Sequence, residues 1–321
     1  MNIKNKMTIS HFKVIRPGIN TTFQDLGRKN LYHFGIPFSG AMDNRNYLLS
    51  NAIAGNKENS PVIEFAFQGP LLKFKGEKIN FNITGNVNFN IIKKKNKIEG
   101  NCYQNYTLED EDELDILSTN SSVYGYLAIS GNFDIQFQWD SCSTNIKAKI
   151  GANDGKKVDK DQQINILNSH FLNSSRKLEY LNSKIENIRV IKGTNFDYFS
   201  EEGKKIFFEN EFTVTKLSDR MGMRLEGDKI ENVVDTNIKS EGIIKGVIQV
   251  PTDGNPIIML SDHGTIGGYP KIGVVISADY DKLVQLPPGS KIKFKEIELS
   301  EAEMLFKLYQ METQNLILKI Q

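Results

Sequence analysis

The chain has 321 residues, with 40 Lys and Arg against 39 Asp and Glu, a formal net charge of +1, and two cysteines. That balance gives no global electrostatic footprint for nucleic acid or an anionic membrane, and two cysteines are too few for a disulfide framework. The charged start MNIKNKMTISHFKV has no signal-peptide core, and no apolar run approaches the ~20 residues of a spanning helix, so the expectation is a soluble, cytoplasmic protein of one or two domains.

Short strands rich in β-branched and aromatic residues, bounded by Gly, Pro, Asn or Asp, dominate the chain. FKVIRP (12–17) comes first. The long loop TTFQDLGRKNLYHFGIPFSGAMD (21–43) ends at Asp43, which is placed to cap a helix through Tyr47, Leu48 and Ile53 that Gly55 stops. Then follow PVIEFAFQGPLLKF (61–74), KINFNITG (78–85), VNFNIIKK (87–94), VYGYLAIS (123–130) and FDIQFQW (133–139). The acidic run EDEDELD (109–115) lacks calcium-loop spacing and reads as a solvated hairpin edge. Residues 168–187, Asn/Ser-rich and charged, read as a crossing between a lobe at 1–170 and a lobe at 188–321.

The second half is written in the same short strands, IRVIKG (188–193), FTVTKL (212–217), GIIKGVIQV (242–250), PIIMLS (256–261), IGVVIS (272–277) and KIKFKEIEL (291–299). Residues 195–206 have rough helical periodicity weakened by Gly203. Ser300 and Glu303 form a capping box opening a C-terminal helix along Leu305, Leu308 and Met311. VIRPGIN (14–20) echoes VIKGTN (190–195), and QDLGR (24–28) echoes SDRMG (218–222), so two similar β-barrels are an economical use of this length. Without alternating long helices, barrels or sandwiches are expected rather than a doubly wound parallel sheet.

Three polar stretches stand out. Loop 21–43 gathers Gln24, Asp25, Arg28, His33, Ser39 and Asp43 among glycines; Arg28 forks onto an external carboxylate or phosphate, or pairs with Asp25 to stiffen a turn. WDSCSTN (139–145) reads as a turn with a half-buried thiol or as an anion-holding turn, and no local signature of a cysteine hydrolase is present. SDHGTIGGYPKI (261–272) is a tight connection or a loop whose bare N–H groups face a ligand; it lacks the Gly-Lys-Ser/Thr of a phosphate-binding P-loop. The histidines His11, His33, His170 and His263 have no metal-site spacing, and no metal site is expected.

In order, PGINTTFQDLGR, GIPFSGAMD, PVIEFAFQGP, SCST, SDRMGMRLEG, GVIQVPTDGNPI, and GGYPKI with VISADYDKLVQLPPG resemble the biotin-dependent carboxyltransferase family, which includes the C subunits of 5-oxoprolinases, kinase-inhibitor antagonists and part of urea carboxylase. The resemblance covers roughly residues 12–305. It implies a mainly β protein of two cyclophilin-like barrel lobes with a few short helices. It also implies work beside B-like and A-like 5-oxoprolinase partner proteins, opening the lactam of 5-oxoproline to glutamate with ATP and magnesium. Alternatives are a non-catalytic antagonist that binds a kinase inhibitor, or a carboxyltransferase component moving CO₂ from carboxybiotin to a urea-like amide, the biotin being supplied by another protein. Under the main reading Arg28 and Arg220 clamp anions. Ser141, Ser143, Thr144 and Thr265 give hydroxyls, Gly267 and Gly268 backbone N–H groups, and Gln24, Gln249 and Tyr269 further binding contacts. Asp25, Asp43, Glu64 and Asp262 orient those groups or hold the magnesium. The family's usual DxQTTGGYP departs here: Gly264 replaces the Gln and Ile266 a Thr, removing an amide and a hydroxyl.

Overall fold

The computed structural model describes residues 10–94, 96–180, 185 and 187–320. The chain's start MNIKNKMTI, and part of the expected crossing at 168–187, lie outside the described residues. Tertiary contacts divide the chain into two units. One takes the described parts of Met1–Leu26, Asn46–Tyr180 and Leu316–Gln321; the other takes those of Gly27–Arg45 and Leu181–Asn315.

In the first unit two sheets share one core: strands of the larger alternate buried and more exposed residues, while the central strands of the smaller are buried on both faces. The seven-stranded sheet runs Asn132–Phe133, Gln163–Leu167, His11–Arg16, Leu71–Lys75, Glu113–Thr119, Val87–Lys93, Asn96–Glu99; the five-stranded sheet runs Thr22–Gln24, Val62–Ala66, Tyr124–Ile129, Ile79–Thr84, Asn105–Leu108. Phe12, Phe74 and Phe89 of the larger sheet and Phe65, Phe81 and Leu127 of the smaller share one buried cluster, because alternate side chains on a strand point to one face. The acidic run at 109–115 enters the interior strand Glu113–Thr119, not a sheet edge, and it is paired with cations on three other strands of that sheet: Glu111 with Lys73 and Lys75, Asp112 with Lys93, and Asp115 with Arg16.

The second unit closes into a barrel in the order Asn187–Lys192, Lys271–Val275, Val247–Gln249, Ile257–Met259, Gly222–Glu226, Phe212–Val214, Lys291–Glu296. The first and last strands pair in parallel and complete the ring, so the barrel has no free edge. The mainly β architecture holds in both units.

Four α-helices accompany the strands among the described residues: α1 (Asn44–Ala54), α2 (Glu201–Glu209), α3 (Ser277–Leu283) and α4 (Leu299–Leu318). Gly55 follows α1 at φ 72°, a left-handed stop that glycine adopts without strain. Helix α2 begins later than the periodicity suggests, because Ser200 caps it by accepting from the Gly203 N–H at 2.9 Å. Helix α4 begins at Leu299 with the Ala302 N–H bonded to the Glu298 carbonyl at 3.0 Å, so Ser300 lies inside the first turn and is not its cap. Packing of Ile297 and Ala302 with Ile276 and Ala278 fixes that entry. Its far end returns to the first unit, where Leu316, Ile317 and Ile320 pack with Leu49, Ile53, Tyr103 and Leu178.

Two expectations are corrected. FDIQFQW is strand only at Phe133, which with Asn132 pairs with Ile166 and Leu167. Beyond it the chain turns through left-handed Trp139 and Asp140, leaving Phe137 and Trp139 exposed. Helix α3 was not foreseen; seven residues give too few turns for periodicity to register.

Gly125 pairs with Phe65 across the five-stranded sheet, and a Cβ there would lie 2.5 Å from the Phe65 ring and 2.7 Å from Val87. Gly125→Ala is expected to lower unfolding free energy by roughly 1–3 kcal/mol through overpacking, read as a shift of the urea midpoint at unchanged slope.

Candidate functional site

Two buried polar clusters emerge, one in each unit. In the first unit the strand Thr22–Gln24 delivers Asp25 to the turn 141–144. Asp25 Oδ1 accepts from Ser141 Oγ at 2.7 Å and Ser143 Oγ at 2.5 Å, and Oδ2 accepts from the Cys142 N–H at 2.7 Å. Three donors thus converge on one buried carboxylate. Thr144 donates its hydroxyl to the Ala152 carbonyl at 3.1 Å and its N–H to the Phe23 carbonyl. The hydroxyl protons of Ser141, Ser143 and Thr144 are thus committed within the protein, and Cys142 is a buried core thiol. Gln24 donates to Thr22 Oγ1 and the Thr144 carbonyl, and its Oε1 is buried without a hydrogen-bond partner among the described residues. Glu64 is buried on the strand Val62–Ala66, opposite Thr22 and Tyr126. Burial, with the Asp25 charge next in weight, pushes the Tyr47 phenol far up, so it stays protonated and donates to the Ser60 carbonyl at 2.8 Å.

In the second unit the loop 27–43 is anchored on the barrel. Gly27, at φ 85°, has no room for a Cβ, which would meet the Phe38 carbonyl at 2.7 Å; the adjoining Arg28 N–H bonds that same carbonyl. The Arg28 side chain is among the largest fully buried ones, 1% exposed. Ser39 N–H bonds the Ser261 carbonyl at 3.0 Å. Arg220 forks onto Asp262, Nε to Oδ2 at 2.8 Å and Nη2 to Oδ1 at 3.1 Å, and Nη2 also donates to the Gly40 carbonyl at 2.7 Å. Both charges are 7% exposed, and the fork uses guanidinium geometry that a lysine lacks.

Next along the chain, His263 Nδ1 lies 2.6 Å from the Gly264 carbonyl and Nε2 lies 3.2 Å from the Tyr32 hydroxyl. A carbonyl only accepts, so Nδ1 carries the hydrogen and Nε2 of the neutral ring accepts from Tyr32. Burial lowers the His263 pKa, opposed by the Gly264 hydrogen bond and reinforced by the Lys245 charge, and burial raises that of Tyr32. The net shifts keep the pair neutral. Asp43 accepts from Gln285 Nε2 at 2.8 Å. Asp281 of α3 accepts the Asn44 and Arg45 N–H groups at the start of α1, and the Tyr309 hydroxyl.

The glycine loop answers a packing demand. Ile266–Gly267 pairs with Glu241–Gly242, and the Thr265 and Gly268 carbonyls accept from Ile243 and Ile238. None of Gly264, Gly267 and Gly268 has positive φ. A Cβ on Gly267 would stand 2.6 Å from Gln249 Nε2, which donates to the Tyr269 carbonyl at 3.1 Å. Tyr269 also lines a cavity of about 440 Å³ with Arg224, Leu217 and Asp253. Among the described residues no group of three or more His, Cys, Asp or Glu side chains is placed to hold a metal. Sequence reasoning missed Tyr32, Lys245, Ser261, Tyr280 and Asp281; a lysine–glycine pair just before VIQVP was the one visible signal.

These buried acid–hydroxyl and acid–guanidinium clusters, set at strand ends and turns, define a mainly β protein whose polar chemistry is carried by loops on a rigid scaffold. The profile of the family described as "Carboxyltransferase domain, subdomain A and B" matches residues 34–296. The chain belongs to this carboxyltransferase-domain family. It is 35% identical over 284 residues to the C subunit of 5-oxoprolinase from Haemophilus influenzae, covering 88% of this chain and 90% of that one. It is 29% identical over 297 residues to the protein of the same name in Escherichia coli, covering 90% and 92%. The solved urea carboxylase of Kluyveromyces lactis superposes with a TM-score of 0.86 at 26% identity, covering 95% of this chain and 29% of that one.

Two tests follow from these clusters. Asp25→Asn places an amide N–H₂ where donors already converge and is expected to cost roughly 2–3 kcal/mol of stability, measured by denaturant unfolding. For His263 the folded pKa lies below the ordinary value of 6.5, so its contribution is fully present above that pH and declines as pH falls below it. His263→Gln is expected to flatten the fall in melting temperature between about pH 7.5 and about pH 5.5; an unchanged pH slope refutes the neutral-pair assignment.

Proposed function

We propose that the chain is the C subunit of an ATP-dependent 5-oxoprolinase, acting with B-like and A-like partner proteins and with ATP and magnesium as co-substrate. The carrying observation is the 35% and 29% identity to two chains of that name over nearly their whole lengths. An unstrained lactam resists hydrolysis. Transfer of the ATP γ-phosphoryl group to its carbonyl oxygen, with ADP leaving, makes the carbon electrophilic enough for water to add. The C–N bond then breaks as the ring nitrogen takes a proton, leaving a γ-glutamyl phosphate that a second water hydrolyses to glutamate and phosphate. This chemistry needs fixed donors and acceptors around developing oxyanion charge.

In this reading Arg220 acts through Asp262, whose carboxylate it locks in one orientation. His263 and Tyr32 give a neutral acceptor–donor pair beside it, filling the polar role that Gly264 gives up. Asp25 holds the turn carrying Ser141 and Ser143, while Arg28, Glu64 and Asp43 are further candidates for anion or magnesium contact, and Thr265, Gln249, Gly267, Gly268 and Tyr269 for substrate contact. A second reading, carboxyl transfer from a biotin borne by another protein, is favoured by the close superposition on urea carboxylase.

The test is reconstitution with the B-like and A-like proteins and measurement of 5-oxoproline-dependent ADP release. Turnover is expected only with all three, without bicarbonate or a biotinylated carrier. Equal turnover when this chain is omitted overturns the proposal, and a requirement for bicarbonate and carrier favours the second reading.

A further inference from the structure

In the second unit, the segment before the strand Val247–Gln249 makes a β-turn closed by the Val247 N–H on the Ile244 carbonyl at 3.2 Å. Gly246, third in that turn, has φ 89°, and a Cβ there would stand 2.9 Å from the Val275 carbonyl. Only glycine fits, so Lys245 is presented from a rigid corner. Its Nζ lies 4.2 Å from the centroid of the Tyr280 ring, and the Tyr280 hydroxyl lies 3.3 Å from Ser261 Oγ. Ser261, Asp262 and His263 thus turn consecutively toward Tyr280, Arg220 and Tyr32.

The titratable groups facing Lys245 are Arg220, Asp281 and His263. Arg220 is occupied by Asp262 and the Gly40 carbonyl. Asp281 is occupied by two backbone N–H groups and the Tyr309 hydroxyl. His263 is neutral. A ring face compensates an ammonium only in part, and a desolvated cation near a guanidinium is unfavourable until an anion arrives.

We propose that Lys245 is an oxyanion-binding residue of this site, its ammonium over the Tyr280 ring receiving a carboxylate or phosphoryl oxygen of a small-molecule ligand. The proposal rests on the function above only in expecting 5-oxoproline as one such ligand. Burial, reinforced by Arg220 and opposed by Asp281, lowers the Lys245 pKa, so binding through the protonated form should weaken as pH rises, earlier than an ordinary lysine would allow.

The experiment uses the full chain and the reconstituted complex, with wild type, Lys245→Met and Lys245→Arg. Melting shifts and titration calorimetry are recorded with 5-oxoproline, 5-oxoprolinamide (which lacks the carboxylate), inorganic phosphate and ATP. Lys245→Met is expected to weaken the effective oxyanion by about tenfold or more, with Lys245→Arg within a few-fold of wild type, as for loss and retention of one charged hydrogen bond. The ligand-free melting temperature of Lys245→Met should hold or rise, since an uncompensated cation is removed; a merely structural lysine would lower it. Loss of 5-oxoproline binding with 5-oxoprolinamide silent assigns the substrate carboxylate, and loss confined to phosphate or ATP assigns the phosphoryl group. Unchanged affinity for every probe in Lys245→Met, or no binding of any probe to wild type or complex, overturns the proposal. An inactive complex with Lys245-dependent phosphate binding sinks the 5-oxoprolinase reading alone. An active complex with unaltered KM values in Lys245→Met sinks the Lys245 assignment alone.

Discussion

The Arg220–Asp262 fork is the interaction on which the second unit's polar wall depends. A guanidinium and a carboxylate buried to this degree carry a large desolvation cost, and only close geometry with every remaining donor satisfied offsets it. Here the two side chains meet in two hydrogen bonds, the Gly40 carbonyl takes a third, and the backbone adds another from the Asp262 N–H to the Arg220 carbonyl. Both residues lie just beyond the paired barrel strands Gly222–Glu226 and Ile257–Met259. Barrel closure therefore sets the fork, and the fork sets which way Ser261 and His263 face.

Neutrality is the second organising condition. Once Asp262 is matched by Arg220, a charged imidazole would add an unmatched cation, and burial holds His263 neutral instead. Its tautomer is dictated by a carbonyl that can only accept, which fixes the direction of the Tyr32 hydrogen bond. Lys245 is the exception to this balance in the cluster, and that contrast distinguishes a group holding the fold from one waiting for a ligand.

Much of the architecture was legible in the sequence: KIKFKE writes the period two of a strand with one buried face, while VIEFA and INFNIT, buried along their whole length, were legible from their β-branched and aromatic residues. VIEFA, INFNIT and KIKFKE each became strands near their expected bounds. The pattern failed after Phe133: the Asp134 N–H still reaches the Asn165 carbonyl at 2.9 Å, but the chain then leaves the sheet and turns through left-handed Trp139 and Asp140. At the site, residue types were legible and pairings were not. Arg220 and Asp262 stood out beside glycines, yet their union spans 42 positions of sequence. The glycines of the GGYP stretch looked like bare ligand-facing backbone, but Gly267 is small because Gln249 lies against it.

The return of the chain's end to the first unit bears on how the molecule comes into being. Leu316, Ile317 and Ile320 complete a hydrophobic cluster whose other members, from Leu49 to Leu178, are translated far earlier. Domains generally fold as units during synthesis, but here one corner of the earlier unit must wait until translation has passed these last residues and they have cleared the ribosome. A nascent chain halted just short of them would leave Leu49, Ile53 and Tyr103 partly uncovered, a natural handle for chaperones that screen unfinished polypeptides.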